Sequence, residues 1–382
     1  DSVASRGLGD VYKRQSVNKK LSGKDGFKKY VRTNKGEIIE TQIIPPNHGQ
    51  DITTTLDAKL QYLVYQELKK AFDYYKASSA SAILVDLKSK DILAMANYPS
   101  FNPNDRRGMN PNLLANRSAT DLFEPGSTVK PLALAGLLQE DVIYKDIIVK
   151  TSPGYIEYEG FLTSDFKDYG TLNLSDVISK SSNVAMVKLC DKSNSEEIIK
   201  NFYKWGFGKY INEIFISNRE GYLPSSADLS AREKVSLCYG YGLQVTLIQL
   251  VGAYTALFSN GQFQGLNLIS GSYNVNENEI ISSEIAEEIK IMLSEAVNNG
   301  TGRNALVKNT RIIGKTGTTK RLTNQGYNEE SFNASFIGMA ELDDKDYVLG
   351  ILVRDAKENG EGGGQVAAPV FSKIIKSIQN TL

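Results

Sequence analysis

Three serine–lysine pairs in this sequence have the spacing of a nucleophile and its base. The pattern Ser-x-x-Lys occurs at Ser16, Ser127 and Ser164. Residues three or four positions apart share one face of a helix, so the lysine amine can reach the serine hydroxyl and take its proton. On spacing alone, a helix cap followed by a surface lysine is the more common explanation. The neighbouring sequence must therefore decide among the three pairs.

Local sequence favours Ser127 over the other two serines. Ser16 lies among the first residues, which carry no apolar period, and Ser164 lies in a predicted polar loop. Ser127 instead precedes an apolar run, and Pro131 is tolerated only near the first turn of a helix. A helix is therefore predicted to begin close to Ser127, with Lys130 one turn inward. Burial or a second cation would lower the pKa of Lys130 and let it accept the serine proton.

The few histidine and cysteine residues limit which catalytic and metal sites are possible. The only histidine, His48, lies in a polar linker, which excludes a Ser-His-Asp triad and leaves lysine as the usual base. A lone histidine and the lack of a Cys-x-x-Cys pair argue against zinc, and we expect neither a metal nor another cofactor. Cys190 and Cys238 are predicted to be buried free thiols, with a disulfide possible only in an oxidising compartment.

Two further motifs could complete a site. In Ser181-Ser182-Asn183, which precedes an apolar run, Ser181 could relay a proton and Asn183 could hold a substrate carbonyl. The same residues could equally cap a helix. The second motif, Lys315-Thr316-Gly317-Thr318, ends a strand-like run and contains the only Lys-Thr-Gly in the chain. Its lysine and threonine suit a carboxylate, and its glycine allows another backbone to approach. A strand that simply ends in a turn is the alternative.

The elements that must position these motifs follow an α+β pattern. Asp57 is predicted to open a helix with one apolar face. Strand-like runs lie at both ends of this region with helices between them, which predicts one antiparallel sheet covered by helices. The predicted strands are 81–87, 91–97, 311–318, 333–341 and 346–354, and the main predicted helices are 127–139, 181–191, 195–205, 246–258, 283–297 and 367–378.

Composition narrows the class of protein. The 382 residues are 41% hydrophobic and contain 44 basic and 44 acidic side chains. This balance argues against nucleic-acid binding, and no apolar run is long enough to predict a membrane span. We expect a non-native or disordered start over residues 1–15, the remnant of a small domain with its linker over 16–50, and the main domain over 51–382.

The segment from Asn116 to Pro131 resembles the nucleophile segment of class B penicillin-binding proteins, and more narrowly that of the division-specific FtsI type. Residues 21–26, 240–246, 314–318 and 363–371 resemble the same family. The three motifs together are a known signature of penicillin-binding proteins and class A β-lactamases. The resemblance implies a transpeptidase domain of the serine β-lactamase-like fold, with a five-stranded antiparallel sheet flanked by helices, after the remnant of a pedestal domain.

The resemblance also implies a role for each motif residue. Ser127 would form an acyl-enzyme with the penultimate D-alanine of a peptidoglycan stem peptide, with Lys130 as general base and Ser181 as proton relay. β-Lactams would be trapped as mimics of the D-alanyl-D-alanine end. The N–H groups of Ser127 and Thr318 would form an oxyanion hole, and Lys315 and Thr316 would bind the substrate carboxylate. The full set of implied substrate-binding residues is Asn183, Lys315, Thr316, Gly317 and Thr318.

Other assignments stay open at this point. The chain departs from the family pattern at Thr319, where alanine is common, and at 359–362, which lacks a frequent aromatic pair; both leave β-lactam affinity open. A D,D-carboxypeptidase or β-lactamase would pass the acyl group to water, and a β-lactam-binding sensor or scaffold would not turn over. The implied partners are stem peptides, β-lactams and division-machinery membrane proteins. The implied location is the periplasmic side of a bacterial inner membrane, with an anchor outside this sequence.

Overall fold

The computed structural model describes residues 21–102, 104–105, 110–210, 219–271, 278–323, 326–343 and 345–381. Ser16 and the predicted irregular start at 1–15 lie outside these ranges. The strands are β1 (Phe27–Arg32), β2 (Ile38–Ile44), β3 (Ser79–Asp86), β4 (Ile92–Tyr98), β5 (Val149–Lys150), β6 (Tyr155–Tyr158), β7 (Phe161–Ser164), β8 (Thr171–Leu172), β9 (Gln262–Phe263), β10 (Asn278–Glu279), β11 (Arg311–Thr323), β12 (Gly326–Leu342) and β13 (Lys345–Arg354). The α-helices are α1 (Ala58–Tyr75), α2 (Arg117–Thr120), α3 (Lys130–Gln139), α4 (Leu174–Ser179), α5 (Asn183–Cys190), α6 (Ser195–Lys204), α7 (Ala231–Leu237), α8 (Leu247–Phe258), α9 (Ser283–Asn298) and α10 (Ala368–Gln379).

One five-stranded antiparallel sheet organises the main part of the chain. Its strand order is β11–β12–β13–β3–β4, so strands from the two ends of this region lie side by side. The central junction pairs β3 with β13, from Ser79 opposite Arg354 to Asp86 opposite Tyr347. The predicted α+β class and the five-stranded sheet are confirmed. β11, which carries Lys315, lies at one edge of this sheet.

Side chains of the sheet alternate between two hydrophobic cores, as the two-residue period of a strand requires. Along β3, Ala80, Ala82 and Leu84 belong to the core that α1 and α10 cover. Ile83 and Val85 belong to the larger core on the opposite face, which α3, α4, α5, α6, α8 and α9 complete. The sheet is therefore a middle layer between helices.

Helix α8 fixes the larger core against the sheet. All twelve of its residues are buried, and a capping box between Thr246 and Gln249 satisfies its first N–H groups. A side chain at Gly350 of β13 would place its Cβ only 2.4 Å from Val251 of α8. Glycine there allows the helix to pack close to the strand. The predicted helix at 246–258 is thus confirmed, with its few polar residues buried among the apolar ones.

Predicted and observed boundaries agree closely except at the start of α3 and in the hairpin between β11 and β12. Asp57 caps α1 as predicted and accepts a hydrogen bond from the N–H of Leu60. β11, however, continues to Thr323 and β12 begins at Gly326. The prediction ended the first strand at Thr318, the last residue of the Lys-Thr-Gly-Thr motif. Main-chain pairing continues past this point because it needs no apolar side chain.

Cys190 and Cys238 form a disulfide, so the predicted free thiols were wrong. Their Cα atoms lie 6.5 Å apart, within the range that a disulfide spans. Cys190 ends α5 and Cys238 follows α7. The pairing depends on how these two helices pack, and a separation of 48 residues gave no spacing signal for it.

The N-terminal part of the described chain is a separate small hairpin of β1 and β2. Every residue of both strands is exposed, including large apolar side chains such as Phe27, Tyr30 and Ile38. The division of the chain at residue 50 stays a prediction. Across the described ranges, no helix combines the length and apolar character that a membrane crossing needs.

Candidate active site

Ser127 lies in a tight 3₁₀ turn that leads into α3. The turn spans Gly126–Val129, and α3 begins at Lys130 with Pro131 in its first turn. The predicted α-helical start at Ser127 was therefore three residues early. The N–H of Lys130 donates to the carbonyl of Ser127, the shorter spacing of a 3₁₀ turn. Gly126 has a φ of +56°, a conformation that favours glycine, and it turns the chain just before the serine.

Lys130 is completely buried and points at the second motif. Its Nζ donates to the carbonyl of Ser181 at 2.5 Å and to Oδ1 of Asn183 at 2.7 Å, and it lies 3.3 Å from the hydroxyl of Ser181. Burial and the nearby charge of Lys315 hold the pKa of Lys130 well below its usual range, and the charge of Asp165 opposes them. A lowered pKa makes it easier for this amine to lose its proton and act as a base.

Lys315 approaches the same hydroxyl from β11. Its side chain is also fully buried, and its Nζ donates to Oγ of Ser181 at 3.0 Å. Burial lowers the pKa of Lys315 to about 7. The Ser181 hydroxyl thus lies within hydrogen-bonding distance of two buried amines, one on α3 and one on the sheet. A proton can move between these three groups without crossing bulk water.

The second motif both caps α5 and contacts Lys130. Ser182 caps α5, because its Oγ accepts from the N–H of Ala185 at 3.0 Å. Ser181 has a φ of +59°, a left-handed conformation that a residue other than glycine adopts rarely. The cap interpretation is confirmed for Ser182, and the catalytic role of the adjacent Ser181 stays a prediction. The unusual backbone of Ser181 turns its carbonyl and hydroxyl toward Lys130.

Ser164, expected in a polar loop, instead ends strand β7 of a hairpin with β6. Its contribution to this region is a backbone carbonyl, which accepts a hydrogen bond from Nδ2 of Asn183 at 3.1 Å. With Lys130 bound to Oδ1, the Asn183 amide is held at both ends. The prediction failed because strands of four residues are too short to show a clear apolar alternation.

Gly317 allows the nucleophile turn to lie directly against β11. A Cβ at this position would lie 2.4 Å from Oγ of Ser335 and 2.8 Å from the carbonyl oxygen of Pro125. The adjacent threonines are engaged on either side: Thr316 shares a hydrogen bond with Thr301 at 2.8 Å, and Thr318 accepts from the N–H of Gly363 at 2.9 Å. The close approach predicted from the Lys-Thr-Gly motif is present.

These elements enclose a cleft of about 500 Å³. Five of the residues predicted from the sequence line it: Ser127, Ser181, Asn183, Thr316 and Thr318. Lys130 and Lys315 lie beneath the surface and reach it through Ser181. The arrangement places a serine, two amines of lowered pKa and several hydrogen-bonding groups at one opening. It suits acyl transfer through a serine ester.

Residues 80–376 match the family described as penicillin binding protein transpeptidase domain. The chain belongs to this family. It is 34% identical over 380 residues to the peptidoglycan D,D-transpeptidase FtsI of Buchnera aphidicola (Schizaphis graminum), covering 99% of this chain and 66% of that protein. It is 33% identical to the FtsI of Escherichia coli K12, covering 100% of this chain and 64% of that protein. The chain thus spans just under two thirds of these relatives.

Solved structures agree with the assignment to the transpeptidase family. The chain resembles the transpeptidase domain of Burkholderia pseudomallei penicillin-binding protein 3, with a TM-score of 0.78, 30% identity, and coverage of 87% of this chain and 96% of that one. It also resembles a peptidoglycan synthetase from Bifidobacterium adolescentis, with a TM-score of 0.85, 25% identity, and coverage of 96% and 69%. The resemblance to class B penicillin-binding proteins of the FtsI type is confirmed.

Glu124 is a residue of this transpeptidase domain that sequence reasoning left without a role. Its buried carboxylate accepts from the N–H of Gly242 and from the hydroxyl of Tyr327, each at 2.9 Å. Burial raises the pKa of this carboxyl, and within the described structure its second oxygen is buried without a partner. Its backbone carbonyl accepts from the hydroxyl of Thr319. Glu124 therefore ties the nucleophile turn to three other segments.

Thr319, noted as a departure from the family pattern, is part of this connection. Its side chain is 2% exposed, and its Oγ1 donates to the carbonyl of Glu124 at 2.9 Å. Its methyl group packs beside Gly126, where a Cβ would lie 2.5 Å from it. An alanine here would lack both contacts. In the sequence, only its position directly after Lys-Thr-Gly-Thr could have indicated such a role.

Proposed function

We propose that this transpeptidase domain cross-links peptidoglycan stem peptides through an acyl-enzyme on Ser127. The observation that carries the proposal is the Ser181 hydroxyl held between the buried amines of Lys130 and Lys315, beside the nucleophile turn. A lowered lysine pKa at the first turn after a cleft-lining serine is the activation that a serine without histidine requires. The similarity to proteins named peptidoglycan D,D-transpeptidase supports the same reaction.

In the acylation half-reaction, neutral Lys130 takes the proton of Ser127 and the serine oxygen attacks the carbonyl of the penultimate D-alanine. The N–H groups of Ser127 and Thr318 would stabilise the resulting oxyanion. The C–N bond then breaks, and the departing D-alanine amine receives the proton from Lys130 through Ser181. A serine ester of the donor peptide remains.

Substrate binding is assigned to the groups around this centre. The ammonium of Lys315 and the hydroxyl of Thr316 would hold the terminal carboxylate, and Asn183 would hold the donor peptide. A pKa of about 7 leaves Lys315 partly protonated in the empty cleft. An arriving carboxylate favours its charged form. In the transfer half-reaction, the amine of a neighbouring stem peptide attacks the ester and loses its proton to Lys130. The C–O bond to Ser127 then breaks, and Lys130 returns the proton to the serine oxygen.

Labelling with a fluorescent penicillin tests the acyl-enzyme. We expect a covalent adduct on the wild type and none on Ser127→Ala, with both proteins folded by circular dichroism. Lys130→Ala should also fail to acylate while keeping its fold. A persistent adduct on Ser127→Ala would refute the nucleophile, and one on Lys130→Ala would refute the base.

Product analysis separates transfer from hydrolysis. A donor peptide ending in D-alanyl-D-alanine is mixed with an acceptor amine, and the products are resolved by mass spectrometry. We expect release of D-alanine with formation of a cross-linked amide, and a long-lived β-lactam adduct. Free acid alone would identify a carboxypeptidase, rapid β-lactam turnover a β-lactamase, and acylation without either product a sensor or scaffold.

The cellular setting and the domain limits belong to the same proposal. Proteins named FtsI suggest a role in septal wall synthesis, on the periplasmic side of the inner membrane and together with membrane proteins of the division machinery. We further propose that residues 16–50 belong to a pedestal and 51–382 to the transpeptidase domain. Limited proteolysis should cut near residue 50 and leave a fragment that still binds penicillin.

A further inference from the structure

Asp165 is a cleft residue that the reaction described above does not use. It directly follows β7, and its carboxylate accepts two hydrogen bonds from the second motif and one from Val184, the residue after it. Oδ1 accepts from the N–H of Asn183 at 2.5 Å and from that of Val184 at 3.0 Å, and Oδ2 accepts from the hydroxyl of Ser182 at 2.6 Å. The N–H of Asp165 donates in turn to the carbonyl of Gly154 at 2.9 Å.

These contacts determine where the turn before α5 lies. The first N–H groups of a helix have no partner within it, and a carboxylate there is favoured by hydrogen bonding and by the helix dipole. Ser182 already satisfies the N–H of Ala185, so Asp165 completes the cap with a charged group. Ser181, which directly precedes the residues that Asp165 contacts, has the left-handed backbone described above. Such a conformation persists only where its surroundings enforce it.

Asp165 also acts on the base through its charge. Two positive groups can form here, on Lys130 and Lys315, and the negative charge of Asp165 favours the protonated form of Lys130. The phenol of Tyr169 faces the same carboxylate, which contributes with burial to a raised pKa of Tyr169. Lys180 lines the same cleft. Among these groups, Asp165 combines a negative charge with direct contact to the second motif.

We propose that Asp165 is a positioning residue of acyl transfer, which holds the turn carrying Ser181 and Asn183 against Lys130 and sets how readily that amine keeps its proton. This role of Asp165 rests on the function proposed above and concerns the control of the same site. Its two effects can be separated. Asp165→Asn keeps an oxygen that can accept from Asn183 and Val184 but removes the charge, whereas Asp165→Ala removes both.

The rate of acylation by a fluorescent penicillin, measured from pH 5 to 9, tests the proposal. The negative charge of Asp165 favours the protonated form of Lys130, so its loss in Asp165→Asn should shift the acid limb of the profile to lower pH. The plateau should stay within about tenfold of wild type. Asp165→Ala should lower the plateau about 100-fold, the scale expected for misplaced reacting groups. Asp168→Asn is the matched control, since Asp168 lies in the same loop and accepts from Ser152 and Gly170 instead.

A profile of Asp165→Asn that superimposes on those of wild type and Asp168→Asn would overturn the charge effect, and an unchanged plateau in Asp165→Ala would overturn the positioning effect. Thermal melting shows whether each variant folds, and Asp165→Asn decides the charge effect even if Asp165→Ala does not fold. Failure of the proposed function would look different: the wild type itself would not be acylated, or Ser127→Ala would be.

Discussion

Replacing Lys315 by methionine should change how the stability of the domain depends on pH. The Lys315 amine is fully buried, and its pKa falls from 10.5 to about 7 on folding. Between these values the unfolded chain binds a proton that the folded chain does not. Stability therefore rises with pH across this window, and the cost of burying the amine is fully present below pH 7.

The magnitude follows from the two pKa values. Their difference of about 3.5 corresponds to about 5 kcal/mol of lost stability at low pH, at about 1.4 kcal/mol per pH unit. Lys315→Met removes this cost together with the hydrogen bond to Ser181, which stabilises by about 1 kcal/mol. Near neutral pH the variant should be the more stable protein. From pH 7.5 to 9.5, the wild type should gain about 2–3 kcal/mol relative to the variant.

Urea unfolding at several pH values measures this difference. The single tryptophan, Trp205, is completely buried and reports the transition by its fluorescence. Lys308→Met, which replaces an exposed lysine, is the matched control and should follow the wild type. A difference between Lys315→Met and wild type that stays constant from pH 7.5 to 9.5 would show that the buried amine remains charged, and the reasoning would fail.

Three further predictions concern the elements that hold the site. Gly317→Ala, whose methyl would lie 2.8 Å from the carbonyl of Pro125, should slow acylation about 100-fold by displacing the nucleophile turn; an unchanged labelling rate would contradict this. Tyr327→Phe leaves the Glu124 carboxylate with one fewer donor and should cost about 1–3 kcal/mol in denaturant unfolding; equal midpoints would show that the bond does not stabilise. Replacing both cysteines of the disulfide by serine opens a link across 48 residues and should cost about 4 kcal/mol; equal stability of oxidised and reduced wild type would exclude this link.

The sequence predicted those parts of the fold that depend on local patterns. Apolar periodicity located α8 and the central strands, and the Asp57 cap located the start of α1. The start of α3 was misplaced because Pro131 limits a helix start only to within a turn, and the chain uses that freedom for a 3₁₀ turn at Ser127. The disulfide was missed because it depends on the packing of α5 against α7.

The residues of the candidate site were likewise predicted only in part. The three motifs named the groups that line or underlie the cleft, since each motif combines a chemical group with a structural requirement such as the glycine of Lys-Thr-Gly. Glu124 and Asp165 were not predicted as site residues, because a carboxylate in a loop carries no pattern of its own. Their importance appears only when three separate segments meet, as at the Glu124 carboxylate with Gly242 and Tyr327.

The two buried lysines are electrostatically coupled, and the proposed reaction needs them in opposite protonation states. In the proposed reaction, acylation requires Lys130 to be neutral, whereas carboxylate binding requires Lys315 to be charged. The positive charge of Lys315 itself lowers the pKa of Lys130. Asp165 opposes this influence from the other side, so the protonation state of the base reflects both a substrate-binding group and a loop carboxylate.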